Sequence, residues 1–501
     1  MAGEWSPTTT QVLPGLFMNF VATALASIRP GAMGTVLLPV RADWGPIGSI
    51  VPIPDQAAIL KNFGTDYSTD ANSFNTLNMA LVGQPAQVLA YRMAHSDAAA
   101  ATCTLNDTTP TTAIAVLLLT CNSKGIRGNE FTATISTNIV SSSLRDLKIY
   151  ENGSLVYTLS GYTPSTIAAL VSAINSDPNN MNWTASQLAA GNGQLANVSN
   201  SAFTGGDSGI SSLVNADYIA ALPDFEVQQF NTFALDNIGN DSSQFAGLQA
   251  SIIAWTVRLR SQGRPIITVI GGSSSEDSAD ASGTYVSGTT EAIVRAAVAN
   301  TPGIVNVASG VVYGGVSYCG AQTAPYIAGL IAATPISSST TYAPTPFSDV
   351  TKRFVDTDLS SLVSGGCLVI VNDGSIVKVL RGVNTLTTVS TNQNDEWKQI
   401  RGIRSMDQIN NDLQTTANKY YIGKINNNEA GRDSLLSAFG DYMRTIQNAG
   451  IIEPGWTVAL DPEYYTGSIP NSGVSSNAAY YSWTAEICDS MEMIYGTFNV
   501  Q

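Results

Sequence analysis

The chain has 501 residues, of which 44% are hydrophobic and only 12% charged, with 43 glycines and a formal net charge of −15. That length allows about three domains of ordinary size, and the low charge with many Gly, Ser, Thr and Asn marks a folded protein rich in strands and turns, not a disordered one. The acidic balance excludes a general nucleic-acid binder and a binder of anionic membrane surfaces, both of which need cationic surface.

Residues 11–21, "QVLPGLFMNFV", read as an extended segment opened by a Pro-Gly turn. The start has no basic n-region, and Pro14, Gly15 and Asn19 break its apolar run, so no export signal is expected. From 22 to 95 the pattern is strand ("TVLLPVRADWGP"), a short helix ("DQAAILKNFG") ending at Gly64, a helix over 72–83, and a strand ("QVLAYRM"). Residues 96–215 turn rich in Thr, Ser and Asn, with short apolar strands, an Asn152-Gly153 turn and one helix near 164–176, which predicts an inserted β-rich domain. Between 216 and 350 strands and helices alternate, and that alternation implies a parallel or mixed sheet covered by helices.

The last block opens with two strands around the hairpin signal Asp373-Gly374. Two helices follow. Ser405 with Gln408 reads as a capping box, with Met406, Ile409, Leu413, Ala417 and Tyr420 at helical spacing behind it. The second helix carries Leu435, Leu436, Phe439, Met443 and Ile446 on one face and stops at Gly450. The chain closes on "MEMIYGTFNVQ", an apolar strand pattern with Met491, Met493 and Tyr495 on one face and Ile494, Phe498 and Val500 on the other. Such a strand needs cover on both faces and a hydrogen-bonding partner along its edge.

Readings that would give chemistry fail for want of partners. Five cysteines, an odd number without a CxxC, indicate neither a zinc site nor a disulfide framework; they suit buried thiols in a reducing compartment. His95 is the single histidine and no nucleophile elbow accompanies it. The glycine clusters "GGDSG" (205–209) and "GGSSS" (271–275) lack a phosphate-loop lysine, and "EDSADAS" after the second repels phosphate. Asp461 and Glu463 fit a turn, Arg381 and Asn384 suit either surface recognition or the shaping of a turn, and no clustered metal ligands appear. The longest clean apolar run, "AIAVLLLT", is too short to span a bilayer. No catalytic, cofactor-binding or metal residues are assigned, which favours a structural protein. Two alternatives stay open: an enzyme using the 216–350 region with a ligand near Gly271 and Gly310, or a surface-array protein, which calls for a signal peptide.

Several segments, "PGLFMNF", "RGVNTLTT", "NNDLQTTANKYYIGKINNNEAGRDSLLSAFGDYMRTIQNAGIIEPGWTV" and the closing strand, resemble the tail sheath proteins of contractile-tailed bacteriophages. The likeness is greatest to sheaths of defective prophages and R-type bacteriocins (diffocins) of Gram-positive bacteria. It is strongest over 350–501 and the first 40 residues, weaker over 216–350, and absent over 96–215. The resemblance implies an α+β multidomain protein: an arm and linker (1–28), an α/β core (29–95 with 216–350), an inserted outward-facing β-rich domain (96–215), and a C-terminal assembly domain (351–501) ending in an arm strand (490–500). It implies stacked hexameric rings around a tail tube, with a baseplate and a terminator at the ends and neither nucleic acid nor membrane insertion. The particle would assemble in the bacterial cytoplasm and be released by lysis.

In that family terminal arms cross to neighbouring subunits, which assigns Leu16, Phe17, Met18 and Phe20, and Met493, Ile494, Tyr495, Phe498 and Val500, to inter-subunit strand exchange. Linkers at 22–28 and 470–486 are then expected to hinge. The family also implies an electrostatic grip on the tube. Residues 351–450 hold 11 of the 23 Lys and Arg against 10 Asp and Glu, and Lys424, Arg432 and Arg444 are the expected contacts, Arg444 before the others because it falls away from the apolar helix face.

Overall fold

The computed structural model describes residues 34–109, 113–162, 166–235, 242–273 and 287–498. Contacts divide the chain into two compact units, one built on Ser405–Asp489 and the other on Ala32–Arg404 together with the segment from Ser490 onward. The calls at Leu16, Phe17, Met18, Phe20, Val500 and the 22–28 linker lie outside the described residues.

The larger unit begins with β1 (Thr35–Arg41), β2 (Ile50–Ile53), helices α1 (Gln56–Phe63) and α2 (Ser73–Val82), and β3 (Gln87–Met93). Asp55 starts α1 by accepting a hydrogen bond from Ala58 N at 2.8 Å, the expected job of an N-cap carboxylate.

The chain then enters the insertion, with strands β4 (Thr102–Asn106), β5 (Ala115–Cys121), β6 (Phe131–Thr137), β7 (Arg145–Glu151) and β8 (Ser154–Tyr162), helix α3 (Ile167–Ser176), and strands β9 (Trp183–Gln187) and β10 (Val198–Ala202). These form a three-stranded sheet, β4-β5-β9, and a four-stranded sheet, β10-β6-β7-β8. Alternating apolar positions of both sheets meet α3 in one core, where the Phe131 ring lies edge-on to Trp183 at 5.6 Å and to Trp44 at 5.8 Å. The two chain crossings run side by side, Ala99 and Asp207 exchanging both backbone hydrogen bonds at 2.9 Å.

Beyond the insertion come α4 (Asn215–Glu226), β11 (Thr232–Ala234), α5 (Ser242–Ser261), β12 (Ile267–Gly271), α6 (Ser287–Ala299), β13 (Ile304–Val307), β14 (Val311–Tyr313), β15 (Val316–Tyr318), α7 (Gly320–Ala333), β16 (Asp349–Val350), α8 (Asp356–Ser364), β17 (Cys367–Leu368), β18 (Ile370–Asn372) and β19 (Val377–Val379). Seven strands make one sheet, in the order β17-β13-β12-β11-β1-β3-β2, parallel except for β2. Its inner strands are continuous apolar runs because both faces are covered. The almost wholly buried α7 packs under β1, β11, β12 and β13, while Phe225, Phe230, Phe233 and Trp255 fill a separate aromatic cluster with α4 and α5.

Two expectations change here. Cys367 and Leu368 pair in parallel with Asn306 and Val307, so the segment after 350 completes the core sheet instead of opening the C-terminal domain, and the unit boundary falls between Arg404 and Ser405. Helices α4 and α8 were not foreseen, since Pro223 sits inside α4 and α8 buries only Leu362.

That boundary lies within α9 (Ile400–Thr416), so Ser405 is a mid-helix residue and not an N-cap. The first turn of α9 buries Ile400 and Ile403, and its other buried side chains are polar: Arg401, Arg404, Ser405, Asp407, Gln408, Asp412 and Thr416. The apolar positions Met406, Ile409, Leu413 and Ala417 are only half-buried, and Tyr420 is exposed. Within the smaller unit the buried polar face is held by Asp412, which accepts hydrogen bonds from Gln408 Nε2 and from the Tyr442 hydroxyl. The following helix, α10 (Glu429–Asn448), is capped by Asn428 and buries Phe439, Tyr442, Met443 and Ile446. Strands β20 (Thr457–Leu460), β21 (Tyr465–Thr466), β22 (Ile469–Pro470) and β23 (Tyr481–Thr484) complete this unit.

Candidate functional site

In the smaller unit, β20 and β23 form an antiparallel pair with Val458 opposite Trp483 and Leu460 opposite Tyr481. The ladder continues past the strands, from Asp461 N to Tyr480 O at one end and from Cys488 N to Ile451 O at the other. One face of the pair rests on α10, where the Phe439 ring meets Tyr481 edge-on at 5.2 Å and Trp483 at 5.4 Å. Trp456 is fixed by an indole hydrogen bond to Gln447. Among the described residues neither outer edge has a strand beside it. A lone two-stranded sheet is marginal in water, and its outer edges carry backbone groups able to pair with a further strand.

The segment between these strands is tied down. Arg432, 7% exposed, donates to Ser468 O at 2.9 Å and lies over the Tyr465 ring at 5.4 Å. Asn427 donates to Ser476 O and Ala478 O, and Tyr464 stacks on Tyr480 at 3.9 Å. Residues 470–486 are a loop tied by these contacts, followed by the strand β23. Arg432 is buried against this loop, where its guanidinium is held by the neutral oxygens of Asn427 and Ser468. Lys424 is exposed and donates to the Lys419 carbonyl, while Arg444 is exposed and paired with Asp441 at 3.0 Å. Residues 405–489 contain four Lys and Arg against ten Asp and Glu, so the cations that made the 351–450 block look neutral belong mostly to the other unit.

In the larger unit the chain from Met491 to Phe498 takes no helix or strand assignment. Its apolar side chains face solvent: Met491 is 83% exposed, Ile494 81%, and Tyr495 and Phe498 89% each. Met493 lies on the same side as Tyr495, whose hydroxyl reaches its sulfur at 3.3 Å, the two-residue period of extended chain. Glu492 breaks the run. Its carboxylate accepts from Arg381 Nε and from the Thr341 hydroxyl, both at 2.6 Å.

Sites read as possible chemistry resolve into packing. His95 Nδ1 lies 3.0 Å from Asp217, which also accepts from Val214 N at the start of α4. The hydrogen bond to Asp217 raises the His95 pKa. A side chain at Gly271 would meet Gly320 backbone at 2.3 Å, and one at Gly310 would meet the Tyr318 carbonyl at 2.2 Å, so both glycines serve close backbone packing. Among the described residues, no three His, Cys, Asp or Glu are grouped to hold a metal, and no helix is long and apolar enough to cross a membrane. Sequence reasoning missed Glu492, Thr341 and the edges of the β20–β23 pair. A single acid inside an apolar terminal strand was the available signal for the first.

Comparison with known proteins adds an independent line. Residues 212–385 match the phage tail sheath protein central domain, and residues 392–501 match the phage tail sheath C-terminal domain, together more than half of the chain. The XkdK protein of the phage-like element PBSX of Bacillus subtilis (strain 168) is 23% identical over 465 residues, covering 87% of each chain. The crystal structure of a sheath tail protein from Desulfitobacterium hafniense is similar at a TM-score of 0.68 and 24% identity, covering 94% of this chain and 100% of that one. The helical sheath of the anti-feeding prophage, in its contracted state, aligns at a TM-score of 0.54 and 11% identity, covering 98% of this chain and 100% of that one.

Proposed function

The chain belongs to the phage tail sheath family, whose members are structural subunits and not enzymes, and on that premise we propose that its copies are linked by exchanged terminal strands. The observation that carries this reading is an apolar extended arm, exposed from Met493 to Phe498, in a chain that also presents a two-stranded sheet with no further strand beside it among the described residues. An arm entering a neighbour's β20–β23 pair gains a ladder of backbone hydrogen bonds and covers its alternating side chains. Residues 12–21 enter a different neighbour in the same way. A head-to-tail exchange that does not close on itself makes a helical array, here stacked hexameric rings around a tail tube in a phage tail or tail-like particle.

Contraction then uses free energy stored in a metastable extended sheath to drive the tube through the target envelope, each subunit keeping its neighbours through the exchanged strands. A baseplate and a terminator close the ends, and lysis releases particles assembled in the cytoplasm. Of the three expected tube contacts, Lys424, Arg432 and Arg444, the first and last are exposed in the single chain. R444E is expected to weaken sheath on tube in co-sedimentation; unchanged recovery removes that residue from the interface.

The decisive experiment compares, by negative-stain electron microscopy, the full chain with a version ending at Asp489. Tubes or rings from the full chain alone support strand exchange. Tubes from both show that the arm does not link the subunits.

A further inference from the structure

The arm has only one charged side chain between Ser490 and Gln501, and that side chain is bound to the chain's own core. Glu492 is 10% exposed although Met491 beside it is 83% exposed. Each carboxylate oxygen has its own donor, Oε2 from Arg381 and Oε1 from Thr341. The Thr341 oxygen also accepts from Gly382 N at 2.9 Å, so both donors are fixed to the same short stretch of backbone.

That stretch is stiff. It follows β19, which is paired with β18 on one side and with residues 342–345 on the other: Tyr342 N donates to Val379 O, Val379 N to Ala343 O, and Thr345 N to Val377 O. Two adjoining cavities, of about 490 and 360 Å³, share Arg381, Val363 and Ser364, and Glu492 and Met493 line the larger. The arm is thus fastened at Glu492 beside open space.

We propose that Glu492, Arg381 and Thr341 form the fixed root of the exchanged strand, a clasp within one subunit that sets where the arm leaves and therefore the register in which a neighbour receives it. The proposal rests on the strand-exchange reading. A strand's side chains alternate with period two, so a slip of one residue turns Met493 and Tyr495 to the face meant for Ile494 and Phe498. With both faces apolar, the side chains alone discriminate weakly between registers. A root pinned at Glu492 leaves residues 493–500 a reach of about 26 Å at roughly 3.3 Å per residue, and the geometry selects one register. Released at Glu492, the root gains about 3 Å for each residue freed on the same rise, enough for a slip of one position.

The test uses the full chain. E492A removes an ionised acceptor from two donors, and the assembly rate, followed by light scattering, is expected to fall about tenfold. The tubes that form should lose layer lines in their power spectra, while the melting temperature of the unassembled chain stays unchanged. The pair E492R with R381E in one chain should restore ordered tubes. Ordered E492A tubes forming at the original rate overturn the clasp. So does recovery on mixing E492R chains with R381E chains, because that places the pair between subunits. The chain ending at Asp489 separates the two ideas: if it forms tubes, strand exchange itself fails, whereas its failure beside normal E492A assembly removes only the clasp.

Discussion

The inserted domain and the C-terminal region solve the same problem in opposite ways. Between Thr102 and Ala202 the apolar side chains of seven strands and one helix converge on one another, and Phe131, Trp183 and Phe203 are at most 2% exposed. The C-terminal region leaves much of its apolar surface unused: the Met491–Phe498 arm is exposed, Trp483 is 44% exposed, and Met406, Ile409 and Leu413 of α9 are half-covered. The first is a domain that a single chain can finish. The second leaves apolar surface that, on the strand-exchange proposal, copies of the chain complete, and the comparison then separates what holds this protein folded from what would hold it assembled.

The strongest way to break that comparison is to damage the finished region. Phe131→Ala removes the ring that touches Trp44, Trp183 and Phe203, and should destabilise the insertion by about 3–5 kcal/mol. Thermal unfolding should show an earlier transition while electron microscopy still shows tubes. If the tubes disappear while the larger unit stays folded, the insertion takes part in assembly and the division into finished and unfinished regions is wrong.

How far this could be read from the sequence depended on whether the signal was local. The strand of "TVLLPVR", the helix after Asp55 and the Asp373-Gly374 hairpin are local patterns and they stand where expected. Pairing of Cys367 with Asn306 is a long-range choice that no periodicity reveals, and it moved the boundary from 350 to 404. Helix α9 shows a subtler limit. Its period told where Met406, Ile409 and Leu413 lie, but within one chain these are half-buried while polar side chains beyond Ile403 are buried, where Asp412 accepts from Gln408 Nε2 and the Tyr442 hydroxyl. For Arg432 the helical position gave no warning that the loop carbonyl of Ser468 and the ring of Tyr465 would claim its guanidinium.

The smallest expected effect lies at the neck of the insertion and sharpens the comparison by pH. His95 N donates to Gly209 O, and its ring pairs with Asp217, so it links the outgoing chain to the returning one. The hydrogen bond to Asp217 raises its pKa in the folded chain. A raised folded value means that the pair's contribution is fully present below the unfolded pKa of about 6.5 and is lost as pH rises through the higher folded value. Protection factors at 95–98 and 207–214, which exclude the intrinsic rise of exchange with pH, should therefore fall over that window in the native chain, and H95Q should flatten the profile without changing tube formation. A neck indifferent to pH in the native chain would mean that the paired backbones of Ala99 and Asp207 carry the attachment unaided.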